Sequence, residues 1–383
     1  MSYHCECEQC KNKEFNPEDY IIKEEDFKVL DKERPLGISG HLRVKDEAMS
    51  VAECIDSCID ALDELIITYN KSTDNTEEIL KEYEKKYPDK IRLYYYKPNI
   101  IKYNKDEYNI KYSPVHYLAE YTNFGYLKIK YKYYLKIDAD QIYFTDKLVK
   151  IREALLCDIN SSKTINKLLK IDKISWYIPI KKLRNNFRTF YIKKLFNIKD
   201  SSYKFNGVEE LLNLKDFIVY SRIKFVENFT LEFGGFNLFL YKDNLYLNHN
   251  FMFNGCYGDT SVFIPKSQIR YYRHFIEYFA EDNIIPSNNK CISGFIWMHL
   301  GDVKRKNYEN TEGLIKADDI ENILWKDINI YLKDDYNNIK KDFGDKYFDT
   351  DKKYVTKEFY DRYLKKPLEY AIKNQDNFIK RLW

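Results

Sequence analysis

Two aspartates stand one residue apart at the end of an apolar run, and this pair constrains the fold more than any other feature of the chain. The run extends from Tyr133 to Asp138, and Asp140 follows after Ala139. Residues i and i+2 of a strand point to the same face, so both carboxylates can address one point beyond the strand's carboxyl end, where open α/β sheets bind ligands. Paired carboxylates suit a hard divalent cation such as Mg²⁺ or Mn²⁺. A solvated turn is the simpler explanation of an isolated Asp-x-Asp, so the assignment depends on the motifs around it.

Length and charge bound the class of protein. The 383 residues can form one large or two modest domains. The formal net charge is +3, which argues against binding driven by phosphate neutralisation, as in a nucleic-acid coat protein. The N-terminus lacks the basic head and apolar run of a signal peptide, and no run approaches the roughly 18 apolar residues of a membrane span. We therefore expect a cytoplasmic protein with reduced thiols that binds no nucleic acid.

Residues with metal-binding side chains cluster near the N-terminus: His4, Cys5, Cys7 and Cys10. Their spacing matches no paired C-x-x-C knuckle, and no second pair of ligands follows them. We therefore interpret this segment as a frayed tail and not as a zinc site.

Strand and helix patterns alternate after Gly37. Apolar runs predict strands at 38–44, 65–69 and 91–96. Helical spacing predicts one helix within 49–65 and another that begins near Asp74 and ends at Pro88. This order of elements is typical of a parallel, right-handed α/β unit, and the strand that carries the paired aspartates continues it.

The pattern weakens beyond residue 150. We predict a helix near Val115–Leu127 and strand-like segments at Ile174–Ile180, Phe217–Val226 and Phe236–Tyr241. The charged tail from Asp318 to Trp383 is helical in character. One compact domain with a C-terminal elaboration fits this sequence better than two independent domains.

Two further motifs precede the aspartates. Residues 41–48, His-Leu-Arg-Val-Lys-Asp-Glu-Ala, run from a strand into a helix, and residues 69–76, Tyr-Asn-Lys-Ser-Thr-Asp-Asn-Thr, cap the next helix. Each motif alone has a plain explanation as a solvated loop or cap, although such junctions also favour anions. Together, in this order, the three motifs resemble the nucleotide-sugar half of GT-A glycosyltransferases. They are most similar to bacterial lipooligosaccharide β-1,4-N-acetylgalactosaminyltransferases.

The resemblance implies a GT-A fold, a Rossmann-like and mostly parallel twisted sheet flanked by helices, with an acceptor-side and a helical C-terminal elaboration. It divides the chain into an N-terminal extension (1–36), a nucleotide-sugar half (37–150), an acceptor-binding half (151–310) and a helical C-terminal segment (311–383). The implied activity is metal-dependent transfer of a sugar, GalNAc or Gal, from a UDP-sugar to a glycan or glycolipid acceptor. Surface lipooligosaccharide or polysaccharide is the acceptor that the family suggests, and Mn²⁺ or Mg²⁺ is the cofactor.

The resemblance also implies site residues. The nucleotide-sugar contacts fall on Leu42, Arg43, Val44, Glu47, Asn70, Asp74, Asp138, Ala139 and Lys304. The metal ligands are Asp138, Asp140 and His299, although His299 fits a core histidine equally well. Two positions depart from the family pattern. Asn70 follows Tyr69 where many members have an acidic pair, and Asp46 replaces a commoner asparagine.

An inverting transfer needs a carboxylate as general base for the acceptor hydroxyl. Candidates should follow the metal motif, and we rank Asp259 first, then Glu232 and Glu277. Glycines and aromatic residues flank the first two, which permits close approach of a sugar. For each candidate an ordinary surface carboxylate is the alternative.

Two other classes of function remain open. A sugar-1-phosphate nucleotidyltransferase shares the sheet architecture, but its phosphate loop after strand one is rich in glycine and basic residues. This chain has Lys45-Asp46-Glu47-Ala48 there, which counts against that class. A non-catalytic glycan-binding protein would not need the intact aspartates.

Any membrane contact should be peripheral, through basic aromatic segments such as Lys365-Lys366 and 380–383, Lys-Arg-Leu-Trp.

Overall fold

A computed structural model describes most of the chain, namely residues 5–100, 112–200, 202–204, 208–224, 229–241, 244–248, 260–272, 282–283, 290–304, 314–316 and 357–373. The strands are β1 Ile38–Val44, β2 Glu64–Tyr69, β3 Ile91–Tyr95, β4 Tyr133–Asp138, β5 Gln141–Tyr143, β6 Thr230–Tyr241, β7 Asn244–Asn248, β8 Thr260–Phe263, β9 Tyr271–Tyr272, β10 Asp282–Asn283, β11 Lys290–His299 and β12 Leu314–Lys316.

Helices cover both faces of the main sheet. The α-helices are α1 Glu8–Lys11, α2 Val51–Cys58, α3 Thr76–Lys86, α4 Leu118–Tyr126, α5 Thr145–Leu156, α6 Lys163–Ser175, α7 Lys181–Leu195, α8 Leu214–Lys224, α9 Lys357–Phe359 and α10 Lys365–Lys373, the last two joined by a π-helical turn, Tyr360–Leu364. Short 3₁₀ helices lie at Pro17–Tyr20, Glu24–Asp31, Ile59–Ala61, Pro114–His116, Ile159–Ser161, Val208–Leu211 and Gly301–Lys304.

The N-terminal half of the sheet is parallel. Strands β4, β1, β2 and β3 lie side by side in that order, with β1 between β4 and β2. The register sets Arg43 of β1 beside Thr68 of β2 and Asp138 of β4. Parallel strands end at one edge of the sheet, so the loops after β1, β2 and β4 meet there. The α/β class predicted from the sequence is confirmed.

The second half of the chain extends the same sheet. β8 pairs antiparallel with β4, and β6, β7 and β12 continue outward from it. β11 is parallel to β6 and antiparallel to β5, which sets His299 opposite Gln141. The last residue of β11 therefore returns to the turn that carries the paired aspartates.

Residue alternation on the strands separates two buried layers. Leu42, Leu65 and Ile137 belong to the larger apolar cluster, whereas Ile66 and Tyr134 belong to a smaller cluster beneath α4. The helix α4 lies directly on the strands at Gly125: a Cβ there would stand 2.0 Å from His41 Nε2. Only glycine fits that contact, so Gly125 fixes the close approach of α4 to the sheet.

Several predicted elements are confirmed and others are wrong. β1 and β4 have the predicted bounds, α4 lies within the predicted helix, and the predicted strand Phe236–Tyr241 forms the end of β6. The strand predicted at Ile174–Ile180 is wrong, because α6 ends at Ser175 and a turn leads into α7. The strand predicted at Phe217–Val226 is also wrong, because residues up to Lys224 form α8. A short apolar run in a buried helix has the composition of a buried strand.

The ends of the chain are described in part. The prediction of a frayed N-terminal tail is wrong for the described residues, because residues 8–11 form α1 and Cys7 caps it. Of the predicted helical tail, residues 357–373 are helical and the remainder lies outside the described residues. Within the described part of the chain, no helix combines the length and the apolar character that crossing a bilayer requires.

Candidate active site

Arg43 lies at the centre of the edge where the parallel strands end. Its Nη2 donates to Asp138 Oδ1 at 2.9 Å, and its Nη1 donates to Thr122 Oγ1 of α4 at 2.9 Å. Strand alternation turns the predicted nucleotide contacts Leu42 and Val44 the other way, into the apolar core. Their side chains therefore anchor β1 behind Arg43, and the predicted contact of Leu42 and Val44 with a nucleotide, which stays a prediction, would have to use their backbone atoms.

Asp138 is held by two cations. Lys136, two residues earlier on the same strand face, places its Nζ 3.3 Å from Asp138 Oδ2, while Arg43 holds Oδ1. Burial by itself raises the pKa of Asp138, but Lys136 and Arg43 outweigh burial and bring that pKa well below its usual range. The carboxylate is therefore ionised throughout the neutral range, with 23% of its side chain exposed.

Asp140 meets His299 from the second half of the chain. His299 Nε2 lies 3.2 Å from Asp140 Oδ1, and the Asp140 carbonyl accepts from the Leu300 N–H at 2.7 Å. Gly301 lies against both side chains: a Cβ there would be 2.7 Å from His299 Cε1 and 2.8 Å from Asp140 Oδ2. The absence of a side chain at residue 301 therefore lets the backbone approach the carboxylate and the imidazole closely.

The donor set fits a hard or borderline divalent cation. Two carboxylates and an imidazole are acceptable ligands for Mn²⁺ or Mg²⁺. Among the residues that the structure describes, the ligand atoms of Asp138, Asp140 and His299 do not all lie within 4.8 Å of one another. Asp138 is also committed to Arg43 and Lys136. Asp140 and His299 are therefore better placed than Asp138 to be metal ligands. Asp138 instead forms ion pairs with the side chains of Arg43 and Lys136.

The loops after β1 and β2 are tied together. Asp46 has a φ of 54°, a left-handed conformation that aspartate and asparagine both tolerate better than most residues, so either residue fits this position. Its Oδ1 accepts from the Thr73 N–H at 2.6 Å. In return, Asp74 Oδ2 accepts from the Ala48 N–H at 3.2 Å, and Thr76 Oγ1 accepts from the Glu47 N–H at 2.8 Å. Glu47 and Asp74 thus belong to one hydrogen-bonded pair of loops at the carboxyl edge of the parallel strands, and their contact with a nucleotide stays a prediction.

Asn70 has a structural explanation. Its side chain is buried, and its Nδ2 donates to the carbonyls of Tyr96 at 2.8 Å and Pro98 at 3.0 Å. A carboxylate cannot donate these hydrogen bonds, so the departure from the family's acidic pair follows from the segment after β3. Ala139, another predicted contact, is buried in the core at the turn between β4 and β5.

The remaining predicted residues are described in part or not at all. Asp259 and Glu277 lie outside the described residues. The backbone of Glu232 belongs to β6 and pairs with β8 and β11. Lys304 ends the 3₁₀ helix that follows His299. The roles of these residues stay predictions.

Sequence reasoning missed three residues that support the site. Lys136 was detectable, since it lies two positions before Asp138 on the same strand face. His41 is fully buried between Tyr134 and Thr68, and burial lowers its pKa to about 3, so the ring is neutral. Tyr121 of α4 donates to the Thr68 carbonyl at 2.6 Å. The last two depend on tertiary contacts, which sequence spacing does not reveal.

These features place the chain among α/β proteins with a charged site at the carboxyl edge of parallel strands. Residues 18–155 match the model of a protein family described as Beta-1,4-N-acetylgalactosaminyltransferase (CgtA). The resemblance inferred from the sequence motifs is confirmed for this part of the chain, which is less than half of its length. No curated protein matches the chain.

Solved structures give weaker matches. Glucosyl-3-phosphoglycerate synthase from Mycobacterium tuberculosis, in complex with Mn²⁺, UDP and glucosyl-3-phosphoglycerate, is 19% identical over 32% of this chain and 39% of that chain, with a TM-score of 0.21. TarS from S. aureus, residues 1–349 with UDP, is 14% identical over 50% of this chain and 72% of that chain, with a TM-score of 0.22. The match thus spans well under half of the synthase. At these values the similarity carries no argument about activity.

Proposed function

We propose that the protein is a metal-dependent glycosyltransferase that moves a sugar from a UDP-sugar, UDP-GalNAc or UDP-Gal, to a hydroxyl of a glycan acceptor. Lipooligosaccharide or a surface polysaccharide is the acceptor class that the resemblance of the sequence motifs implies, and the family description names the transfer of GalNAc. One observation carries the proposal. The family match ends at residue 155, yet His299, far beyond it, lies against Asp140 inside the matched region.

Asp140 and His299 are the residues that would hold Mn²⁺ or Mg²⁺. When bound, the cation supplies Lewis-acid stabilisation for the negative charge of the departing diphosphate. Arg43 and Lys136 keep Asp138 ionised and add fixed positive charge at the same edge of the sheet. Lys304 is the further candidate for contact with the diphosphate.

The transfer would invert the anomeric centre, with one carboxylate as the base for the acceptor hydroxyl. We propose Asp259 for this role, with Glu232 and Glu277 as the next candidates. Asp259→Asn keeps the shape and removes the basicity, so kcat should fall by roughly 10²–10⁴-fold with little change in donor affinity. If Asp259→Asn turns over normally while Glu232→Gln or Glu277→Gln is inactive, the residue whose variant is inactive is the general base. An α-linked product from an α-linked donor, detected by NMR, would contradict inversion.

Donor hydrolysis tests the proposal as a whole. Thermal shift with a panel of UDP-sugars and Mn²⁺ identifies the donor, since a ligand of the native state stabilises it by mass action. Release of UDP from that donor is then measured with Mn²⁺ and without it. Metal-dependent release supports a transferase. Binding without release would indicate a non-catalytic glycan-binding protein, and release of pyrophosphate from UTP and a sugar 1-phosphate would indicate a nucleotidyltransferase.

A lipid-anchored acceptor would bring the enzyme to a membrane surface, and α6 and α7 offer a suitable face. Trp176 and Tyr177, between the two helices, are 72% and 79% exposed, and Phe190 projects from α7. The α7 sequence contains six basic residues and no acidic one. Exposed aromatic rings among lysines and arginines favour an anionic lipid interface. We call residues 174–194 the basic aromatic surface and propose it as the site of peripheral membrane contact.

A further inference from the structure

Three N-terminal cysteines and a distant histidine converge on one point. The Sγ atoms of Cys5, Cys7 and Cys10 and one ring nitrogen of His116 all lie within 4.8 Å of one another. Cys5 Sγ is 3.4 Å from Cys7 Sγ, and His116 Nε2 is 3.1 Å from Cys7 Sγ and 3.3 Å from Cys10 Sγ. His116 is more than one hundred residues away in sequence, so the fold itself assembles the cluster.

The local backbone at Cys7 and Cys10 suits metal binding. Cys7 caps the short helix α1, and its Sγ accepts from the Cys10 N–H at 3.4 Å. The two residues have C-x-x-C spacing, which structural zinc sites use to present two thiolates from one turn.

His116 is oriented by its second ring nitrogen. Nδ1 lies 2.7 Å from the Asn99 carbonyl, a distance at which the ring donates its proton to that oxygen. The tautomer then leaves Nε2 unprotonated, and Nε2 is the atom that faces the sulfurs. Metal-binding histidines nearly always have such a partner on the other nitrogen.

We propose that Cys5, Cys7, Cys10 and His116 bind one Zn²⁺ ion as a closed, structural site. Tetrahedral zinc with bonds of about 2.3 Å to sulfur and about 2.0–2.1 Å to nitrogen separates its ligand atoms by roughly 3.6–3.8 Å. The observed separations of 3.1–3.4 Å need only a few tenths of an ångström of expansion. Four protein ligands leave no open position, so the ion has a structural role. Thiolates and imidazole also distinguish this soft site from the carboxylate site at Asp140.

The proposed zinc site connects the N-terminal segment to two elements beside the proposed donor site, the segment after β3 and α4. Gln9 of α1 accepts from the Asn99 N–H at 2.7 Å, so α1 rests on the segment after β3. That segment also receives both hydrogen bonds of Asn70. On the other side, His116 immediately precedes α4, whose Thr122 holds Arg43. The proposed zinc ion would therefore clamp the N-terminal extension onto the two elements that position Asn70 and Arg43.

The metal content of the full-length protein tests this inference. We expect protein purified without chelator, under reducing conditions, to contain about one zinc ion per chain by mass spectrometry of the metal. X-ray absorption at the zinc edge should give three sulfur ligands at about 2.3 Å and one nitrogen at about 2.0–2.1 Å. A shell of oxygen and nitrogen, an intact mass that shows an oxidised cysteine pair, or protein that stays zinc-free after reconstitution with ZnCl₂ would each overturn the proposal.

Variants separate this site from the other thiols and from the proposed catalytic site. Cys10→Ser and His116→Ala should lose stoichiometric zinc and melt at a lower temperature. Cys157→Ser removes a half-buried cysteine that is not part of the cluster and lies between α5 and the next 3₁₀ helix, and this variant should retain zinc. Asp140→Ala should also retain zinc whether or not it transfers sugar, so a failed transferase assay leaves this test intact. Full zinc content in Cys10→Ser would contradict the assignment. If that variant does not fold, the X-ray absorption spectrum of the wild-type protein tests the assignment instead.

Discussion

His299 Nε2 lies 3.2 Å from Asp140 Oδ1, and this contact joins the last residue of β11 to the turn between β4 and β5. One partner belongs to the N-terminal parallel unit and the other to the antiparallel extension. Since both side chains are metal-ligand types, a cation bound between them would link the two halves of the sheet. The second half therefore contributes to the candidate site itself and is not only a platform for an acceptor.

Asp140→Ala should abolish sugar transfer and leave the fold intact. Asp140 lies in a turn at the edge of the sheet, so its removal costs little packing, whereas it takes away a carboxylate ligand of the proposed cation. Activity is measured as UDP release at saturating Mn²⁺, and folding by circular dichroism and thermal melting. Asp89→Ala, at an exposed aspartate, is the control and should keep wild-type activity. An Asp140→Ala enzyme with most of its activity would rule out the metal role.

Gly301→Ala tests the close approach of the backbone to His299 and Asp140, the two proposed metal ligands. The added Cβ would meet His299 Cε1 and Asp140 Oδ2 at 2.7–2.8 Å, which is closer than real contacts allow. The contacted atoms are ends of side chains, so they should shift while the fold persists. A displacement of about 1 Å can cost on the order of 10²-fold in rate, and we expect a loss of kcat of that size. Unchanged kcat and unchanged dependence on Mn²⁺ would show that catalysis does not depend on the positions of His299 and Asp140 beside residue 301.

Chelation should stop turnover, and Mn²⁺ should restore it better than Ca²⁺. Ca²⁺ prefers more oxygen ligands and a looser geometry than a carboxylate, an imidazole and a diphosphate provide. A brief treatment with EDTA, with zinc content monitored in parallel, keeps the proposed structural zinc in place. Recovery with Mn²⁺ alone then reports on the Asp140 site. Full activity in excess chelator would contradict metal-dependent catalysis.

The parallel unit was predictable because its signals are local. The apolar runs of β1 and β4 end where the chain leaves the buried sheet, so periodicity alone gives their bounds. The Asp-x-Asp pair was located correctly for the same reason, although only Asp138 belongs to the strand. Asp140 lies in the turn after it, and this is why the two carboxylates have different partners.

The contacts that complete the site were not predictable because they are long-range. His299 was a candidate that fitted a core histidine equally well, and only the pairing of β11 with β5 brings it to Asp140. The convergence of the cysteines with His116 was missed for the same reason: His116 is distant in sequence, and a search for adjacent ligand pairs cannot find it. The Ser-Pro-Val-His-Tyr segment that carries His116 has no metal signature of its own.

The basic aromatic surface should bind anionic membranes. Arg184 lies over the Trp176 ring, 4.6 Å from its centroid, so charge and aromatic area are presented together. We expect binding to vesicles of phosphatidylcholine with phosphatidylglycerol, release at high salt, and little binding to phosphatidylcholine alone. Trp176→Ala with Tyr177→Ala should weaken binding, whereas Tyr203→Ala, at another exposed tyrosine, should not. Binding that survives high salt would contradict the electrostatic mechanism, and full binding of the double variant would place the contact elsewhere.

Glu120 should make the protein less stable as the pH rises from about 4.5 to about 7. It lies on α4, and its Oε2 is buried without a hydrogen-bond partner in the described part of the chain. Burial raises the pKa of Glu120 from 4.5 to about 7, even though Arg270 lowers it in part. A carboxyl group with a raised pKa in the folded state contributes stability below its unfolded pKa. That contribution is lost between about pH 4.5 and pH 7, because the folded state must then bury a charge.

Glu120→Gln stays neutral and should not show this loss. At pH 8 its free energy of unfolding should exceed that of the wild type by about 1–3 kcal/mol, since each unit of pKa shift corresponds to about 1.4 kcal/mol. The difference should shrink towards zero near pH 4.5, where Glu120 is protonated in both states. Urea unfolding across this pH range measures it, and Glu82→Gln, at an exposed position of α3, is the control with no such trend. A difference between Glu120→Gln and wild type that is the same at every pH would show that the substitution acts through packing and not through ionisation.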